Sequence, residues 1–152
     1  MKNTPWFLIS LLLLAGSGCA TAPAPASMVL PAAFKWVDTP RPGFQFGVLE
    51  GDPTKASPFT LRVKLPPNFQ EPPHYHSYTQ HVTVISGTYY SGLGEKFDTE
   101  KGDALPAGSF IVIPAGTRHY AWTKEETVRQ IHGVGPAGTT YVNPADDPRN
   151  RK

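Results

Sequence analysis

The chain of 152 residues has little cysteine, little charge and no helix-type patterning. Its one cysteine, Cys19, lies near the N-terminus, so the residues after it cannot form a disulfide with one another and depend on packing. The 14 basic and 12 acidic residues give a net charge of +2 without a basic run, so we expect no nucleic-acid partner. No stretch keeps a 3.6-residue hydrophobic period over several turns, which excludes a helical bundle.

Glycine and proline are abundant instead, with 14 and 17 residues. Between these turn formers, short runs of β-branched and aromatic residues recur at a spacing of roughly ten residues. The pattern predicts one all-β domain, an antiparallel sandwich or barrel. The predicted strands cover residues 44–49, 59–65, 80–86, 88–91, 110–113, 118–123 and 127–132.

The first residues have the layout of a secretory signal. Lys2 precedes the apolar run 6–15, which is too short to span a membrane comfortably and is followed by small residues. Cys19 comes directly after them and resembles the acylated cysteine of bacterial lipoproteins, although Gly16 stands where leucine is usual. The alternative is an ordinary signal peptide that is cleaved in the alanine-rich stretch after Cys19.

These features predict four segments along the chain. They are a signal peptide over 1–18, a lipid-anchored flexible tether over 19–33, a folded domain over 34–148 and a tail over 149–152. Either cleavage predicts export. The lipoprotein alternative predicts a periplasmic protein anchored to the outer membrane of a bacterium, with membrane contact only through the lipid at Cys19.

Three histidines have a spacing that is typical of a metal site. His74 and His76 alternate along an extended segment and therefore face the same side, and Gln80 has the same parity. His119 opens a later predicted strand, after a Pro-x-Gly turn. Neutral imidazole nitrogens bind divalent transition metals, and three of them with one oxygen donor leave coordination positions open. The sequence therefore predicts His74, His76, Gln80 and His119 as metal ligands.

The same residues resemble the two motifs of the cupin superfamily. The first motif is met by His74, His76, position 80 and Gly87, and the second, 20 residues later, by Gly108, Pro114, Gly116 and His119. The resemblance covers roughly residues 34–148, and within the superfamily the chain is similar to small bacterial single-domain cupins. It implies a double-stranded β-helix, also called a jelly-roll barrel.

Three positions depart from the cupin motifs. Asn68 stands where the first motif opens with glycine, Thr123 where the second closes with asparagine, and Gln80 where glutamate is customary. Because an amide brings no negative charge, Gln80 leaves the charge of a metal dication uncompensated. This substitution predicts weaker metal affinity, a more acidic bound water and a preference for an anionic ligand.

His81 is the alternative fourth ligand. It fits a longer spacer within the first motif and would give a four-histidine site, but the step to Gly87 is then one residue short. Strand alternation also turns His81 to the face opposite Gln80.

Several neighbouring residues have a simpler structural interpretation. His132 is expected to be an ordinary strand residue, and Arg118 and Tyr120, which flank His119, are expected to face solvent. The apolar residues Phe110, Ile111, Val112, Ile113, Tyr89 and Trp122 are expected in the core.

The leading functional hypothesis is an exported metalloenzyme, similar to cupin dioxygenases and isomerases, that acts on a small and preferably anionic molecule. Its cofactor would be Fe, Mn, Ni or Zn, since these ions suit the donor set. The first alternative is a non-catalytic module that binds a metal or small ligand at the cell envelope. The second alternative is a metal-free scaffold. Exposed edge strands favour a homodimer.

Overall fold

The computed structural model describes residues 25–150. The predicted signal peptide and Cys19 lie outside these residues. The described part contains eleven β-strands and three 3₁₀ turns. The strands are β1 (Val37–Asp38), β2 (Gln45–Gly51), β3 (Pro58–Leu65), β4 (Gln70–His76), β5 (Gln80–Ser86), β6 (Thr88–Leu93), β7 (Gly102–Pro106), β8 (Phe110–Ile113), β9 (His119–Trp122), β10 (Thr127–Val134) and β11 (Thr139–Tyr141). The 3₁₀ turns are Pro31–Ala33, Pro144–Asp146 and Pro148–Asn150.

The strands form two antiparallel sheets. The first sheet has six strands in the order β1-β2-β3-β10-β5-β8, and the second has five in the order β11-β4-β9-β6-β7. Consecutive strands change sheet repeatedly, as in a jelly roll, and the prediction of an all-β antiparallel barrel is confirmed. Among the described residues no helix has the length and apolar character that a membrane crossing requires.

The core lies between the two sheets and follows the alternation of each strand. On the first sheet the inward side chains include Phe59, Val63 and Leu65 of β3 and Val82 and Val84 of β5, all almost inaccessible to solvent. Each such side chain stabilises the fold by roughly 1.5–3 kcal/mol when it is fully buried.

The core prediction is wrong at two positions of β8. Phe110 and Val112 are 58% and 45% exposed, whereas Ile113 is buried. The reason is position in the sheet, because β8 is the last strand of its sheet and its alternate residues face outward. A hydrophobic run alone does not distinguish such an edge strand from a central one.

The prediction that Tyr120 faces solvent is also wrong. Tyr120 lies on the outer side of its sheet, yet it is only 1% exposed, because the segment between β6 and β7 covers that side. The Phe97 ring lies 5.2 Å from the Tyr120 ring, and the Tyr120 hydroxyl donates to the Asp98 carbonyl oxygen at 2.8 Å.

The sequence prediction omitted β4, the strand that carries two of the histidines. Its Pro72 and Pro73 argue against a central strand, because proline cannot donate to a sheet ladder. In the structure both prolines lie in an irregularity of the pairing with β9. Glu71 pairs with Ala121 and His74 with His119, so an advance of three residues along β4 lies opposite an advance of two residues along β9. The bulge accommodates the prolines and lets the strand continue to His76.

The two peripheral departures from the cupin motifs meet at the loop before β4. Asn68 has a φ of 57°, in the left-handed region that glycine adopts most easily and asparagine tolerates. Thr123 fixes the same loop, since its hydroxyl donates to the Pro66 carbonyl oxygen at 2.6 Å and accepts from the Phe69 amide at 3.2 Å. Both residues thereby set the start of β4.

Candidate metal centre

The three predicted histidine ligands lie side by side on the inner face of the second sheet. His74 on β4 pairs directly with His119 on β9, and His76 follows two residues later on the same face of β4. One ring nitrogen from each histidine lies within 4.8 Å of the others, and all three side chains are buried. This spacing brings the nitrogens within reach of a single ion, with metal–nitrogen bonds of about 2.0–2.1 Å.

Backbone carbonyl groups fix the tautomer of each ring. The Nδ1 atom of His74 contacts the Pro72 oxygen at 2.7 Å, that of His76 the Gly138 oxygen at 3.1 Å, and that of His119 the Thr117 oxygen at 3.0 Å. A carbonyl oxygen only accepts hydrogen bonds, so each Nδ1 carries a proton, and in the neutral ring each Nε2 then keeps a lone pair. This arrangement is typical of metal-binding histidines.

The free Nε2 atoms point into the barrel. Within residues 25–150 the Nε2 atoms of His74 and His119 are buried without a hydrogen-bond partner. A buried polar atom without a partner costs free energy, so two adjacent ones require an explanation. A divalent transition metal fits this donor set, because it would bond to both.

The His76 and His119 rings are also held neutral at physiological pH. Burial, followed by the positively charged form of His74, lowers the pKa of His76 to about 3 and that of His119 to about 4. A neutral imidazole is the form that binds a metal, so these two rings need not lose a proton at neutral pH.

Gln80 and His81 occupy opposite faces of β5, which belongs to the other sheet. Gln80 is buried and its Nε2 donates to the Tyr78 hydroxyl at 3.0 Å, which leaves the buried Oε1 without a partner among residues 25–150. The Tyr78 ring lies 5.5 Å from the His76 ring, so the amide lies near the histidine cluster. His81 is exposed on the outer face, where it stacks on Phe110.

Sequence reasoning missed a buried ion pair beneath the histidines. Nη2 of Arg129 on β10 donates to Oε2 of Glu71 on β4 at 3.1 Å, and the side chains are 5% and 9% exposed. Nη1 of Arg129 donates to the Tyr89 hydroxyl. Burial works against the charge of Glu71, but Arg129, followed by His74 and His76, lowers its pKa to about 2.

Strand alternation predicts the inward position of one member of this pair but not of the other. Arg129 alternates with Thr127 and Ile131, which are both buried, so its parity on β10 indicates an inward cation. Glu71 has the opposite parity to His74 and His76 and faces the same side only because of the bulge at Pro72 and Pro73. No pattern in the sequence reveals that bulge.

A cavity of about 260 Å³ is lined by residues that contact His74 and His76, although neither histidine lines it itself. It is lined by Glu71, by Thr139 and Tyr141 of β11, and by residues of the β1–β2 connection. Thr139 Oγ1 lies 3.2 Å from His76 Nδ1, and the Tyr141 ring lies 5.8 Å from the His74 ring. A small molecule in this cavity would therefore lie beside the candidate metal ligands.

Several solved structures are similar to the chain in fold. The polyketide cyclase RemF from Streptomyces resistomycificus aligns with a TM-score of 0.66 and 21% identity, over 82% of this chain and 90% of that chain. KdgF from Halomonas sp. aligns with a TM-score of 0.59 and 22% identity, over 73% and 96%. An RmlC-like cupin from Shewanella frigidimarina NCIMB 400 aligns with a TM-score of 0.59 and 13% identity, over 72% and 91%.

No curated protein sequence matches the chain significantly. The family described as Domain of unknown function (DUF4437) matches residues 41–147, more than two thirds of the chain. The match includes all four predicted metal ligands and every strand except β1. The chain therefore belongs to the DUF4437 family and is a cupin, with that superfamily's double-stranded β-helix fold.

Proposed function

We propose that the chain is an exported metal-binding cupin that transforms a small molecule at an open site formed by His74, His76, His119 and Gln80. The observation that carries the proposal is the set of three buried histidine rings whose Nδ1 atoms donate to carbonyl oxygens and which bring one ring nitrogen each to within 4.8 Å of the others. A structural role alone would not leave two of these Nε2 atoms buried without partners.

Gln80 is the proposed fourth ligand, through Oε1. Its hydrogen bond to Tyr78 orients the amide and leaves this oxygen free. All four ligands are then neutral, and Glu71 beneath them is already paired with Arg129. The charge of a bound dication is thus uncompensated, which favours an anionic small molecule as the partner.

A divalent transition metal, Fe, Mn, Ni or Zn, would supply Lewis acidity or redox chemistry at this site. The protein's part is to orient the ligands, to exclude water with the buried faces of both sheets and to position the substrate. We propose an activity of the dioxygenase or isomerase type. Support comes from the fold, since RemF, a polyketide cyclase, shows that this architecture carries small-molecule enzymes.

A non-catalytic binding module is the second candidate, and one observation favours it. Besides two arginines, the cavity beside the histidines is lined by Glu71 and Tyr141, and both titrate far from neutrality: the pKa of Glu71 is about 2, and burial together with Glu71 raises that of Tyr141 above its ordinary value of 10.0. Neither side chain suits proton transfer near pH 7. Any chemistry would rest on the metal, and binding alone needs no such group.

Export remains part of the proposal and rests on the signal-like residues 1–18 and on Cys19. We propose a periplasmic location with a lipid anchor at Cys19. A homodimer is likewise a proposal; the exposed Phe110 and Val112 on edge strand β8 support it.

The test is to express the whole chain, isolate it from the membrane fraction and measure bound metals by elemental analysis. The proposal expects about one equivalent of a transition metal, which His119→Ala removes. The matched control is His132→Ala, because His132 is exposed and, among residues 25–150, bonds only to Thr60 and Gln130. Equal metal content in all three proteins would overturn the metal site.

Activity then separates the two candidates. The metal-loaded chain is screened for oxygen uptake and product formation with small phenols, 1,3-diketones and organic acids. Turnover that is lost in His119→Ala and kept in His132→Ala supports the enzyme. Tight metal binding without turnover of any of these compounds supports the binding module.

A further inference from the structure

The cavity beside the histidines is lined by residues of both sheets. One wall is β11, the edge strand of the second sheet, and the opposite wall is the connection between β1 and β2 in the first sheet. At about 260 Å³ it is smaller than the roughly 300–1,000 Å³ typical of pockets for drug-sized ligands. Its size suits a molecule with a single ring.

In the described part of the chain, one cation of this cavity is free to bind a ligand. Within residues 25–150 the Arg41 side chain donates one hydrogen bond, from Nη2 to the Gln70 carbonyl oxygen at 2.7 Å, and its guanidinium packs 4.1 Å from the centre of the Phe69 ring. Within residues 25–150 no carboxylate oxygen lies within 4.0 Å of Arg41. The guanidinium is thus held in place while its remaining donors are available.

The other arginine of the cavity is already occupied. The Arg149 guanidinium binds both carboxylate oxygens of Asp147, with Nε to Oδ1 at 2.8 Å and Nη2 to Oδ2 at 2.6 Å among its contacts, and it donates to the Thr139 carbonyl oxygen. Its charge is compensated, and it fixes the end of β11. Arg41 is therefore the anion-binding group of this cavity.

The remaining walls combine apolar surface with a buried acceptor. Phe44 and Tyr141 contribute aromatic surface, and Glu71 presents its carboxylate, whose Oε2 already accepts from Arg129. An ionised carboxylate can only accept hydrogen bonds, so it favours a ligand hydroxyl. Because Arg41 and Glu71 form no ion pair, the two groups can bind different ends of one molecule.

We propose that this cavity binds a small hydroxylated organic acid, with Arg41 on its carboxylate, Phe44 and Tyr141 along its apolar body and Glu71 accepting from its hydroxyl group. The inference rests on the proposed function, because it assigns the substrate class of that site. Arg41 is the specificity-determining residue, since it distinguishes an acid from its neutral analogue.

The test uses three probes of nearly equal size: 3-hydroxybenzoate, 3-hydroxybenzamide and benzoate. Their affinities are measured by isothermal titration calorimetry with the whole chain, both zinc-loaded and metal-free. The proteins are the wild type, Arg41→Gln, Arg41→Lys and, as matched control, Arg62→Gln, which removes a charge that bonds to Gln130 on β10 away from the cavity. The ratio of acid to amide affinity is taken within each protein, so partial unfolding of a variant does not affect it.

We expect the wild type to prefer 3-hydroxybenzoate over both other probes. Arg41→Gln should lower the acid-to-amide ratio about ten- to a hundred-fold, the loss expected for a charge-assisted hydrogen bond, whereas Arg41→Lys keeps part of it and Arg62→Gln all of it. An unchanged ratio in Arg41→Gln, equal affinity of acid and amide, or no binding of any probe to the wild type overturns the inference.

The failure of this inference is distinguishable from the failure of the proposed function. Loss of the Arg41 effect in a chain that still binds zinc refutes the ligand assignment alone. Absence of zinc binding refutes the metal site, while the metal-free titrations still report whether Arg41 selects the acid.

Discussion

Arg129 and Glu71 form an ion pair inside the barrel, with 3.1 Å between Nη2 and Oε2, and this pair links the two sheets beneath the histidine cluster. Arg129 belongs to β10 of the first sheet and Glu71 to β4 of the second. The pair thus holds β4, which also carries His74 and His76, against the opposite sheet. Because both charges are buried, each depends on the other for compensation.

Breaking this pair should destabilise the protein strongly. Glu71→Gln leaves the buried Arg129 charge with only neutral partners, so we expect the free energy of unfolding to fall by about 3–5 kcal/mol. Urea unfolding monitored by circular dichroism measures the change.

The double variant Glu71→Leu with Arg129→Met is the control. Replacing both charges by apolar groups of similar size is often neutral, so it should recover most of the loss. If Glu71→Gln alone were as stable as the wild type, the ion pair would contribute little to the free energy of unfolding.

The metal-free chain should lose stability as the pH falls below 6.5. His76 and His119 have folded pKa values of about 3 and about 4 against an ordinary value of 6.5, so in this range the unfolded chain binds protons that the folded chain does not. Stability rises with pH wherever the unfolded state binds more protons, by up to about 1.4 kcal/mol per pH unit for each group. Urea unfolding at several pH values between 4 and 7 measures the slope.

Glu71 adds to this acid sensitivity at lower pH. Its folded pKa of about 2 lies below the ordinary 4.5, so its contribution is present above pH 4.5 and is lost as the pH falls toward 2.

The histidine prediction has its own contradicting outcome. If the stability of the metal-free chain did not change between pH 7 and 5, the assignment of neutral, buried His76 and His119 would be wrong.

Replacing Asn68 by glycine should leave the stability of the protein nearly unchanged, whereas replacing it by a β-branched residue should lower the stability. Its φ of 57° costs an ordinary L-residue roughly 1–2 kcal/mol. We therefore expect Asn68→Gly to change the free energy of unfolding by less than about 0.5 kcal/mol and Asn68→Val to lower it by at least about 1 kcal/mol. Thermal and urea unfolding compare the two, and equal stabilities would contradict this account of the loop.

Gln80→Glu should tighten metal binding. A carboxylate at this position supplies the negative charge that the four neutral ligands lack, and we expect at least about a tenfold lower Kd for Zn²⁺. Competition with a chromophoric chelator measures it. Gln80→Leu, which removes the oxygen donor, should weaken binding, and identical affinities in all three proteins would exclude residue 80 as a ligand.

The sequence indicates the fold and the neighbourhood of the histidines because both depend on local pattern. Alternation places His74 and His76 on one face, and motif spacing brings His119 to the adjacent strand. The inward position of Glu71 cannot be predicted in this way, because the bulge at Pro72 and Pro73 turns it to the same face as His74 although alternation would place it on the opposite face.

Other residues were misjudged because their surroundings come from distant parts of the chain. Tyr120 is buried by the segment after β6, and Phe110 is exposed because β8 has no neighbour on one side. The position of Arg41 at the cavity depends on how the β1–β2 connection meets β11. None of these contacts can be predicted from the local periodicity of the sequence.

The most direct test of the metal centre is anomalous diffraction at the zinc edge from crystals of the chain grown with Zn²⁺. We predict one strong peak inside the barrel, about 2.0–2.2 Å from Nε2 of His74, His76 and His119 and from Oε1 of Gln80. No peak among these four atoms, or a peak bound only by outward residues such as His81 or His132, would contradict the account.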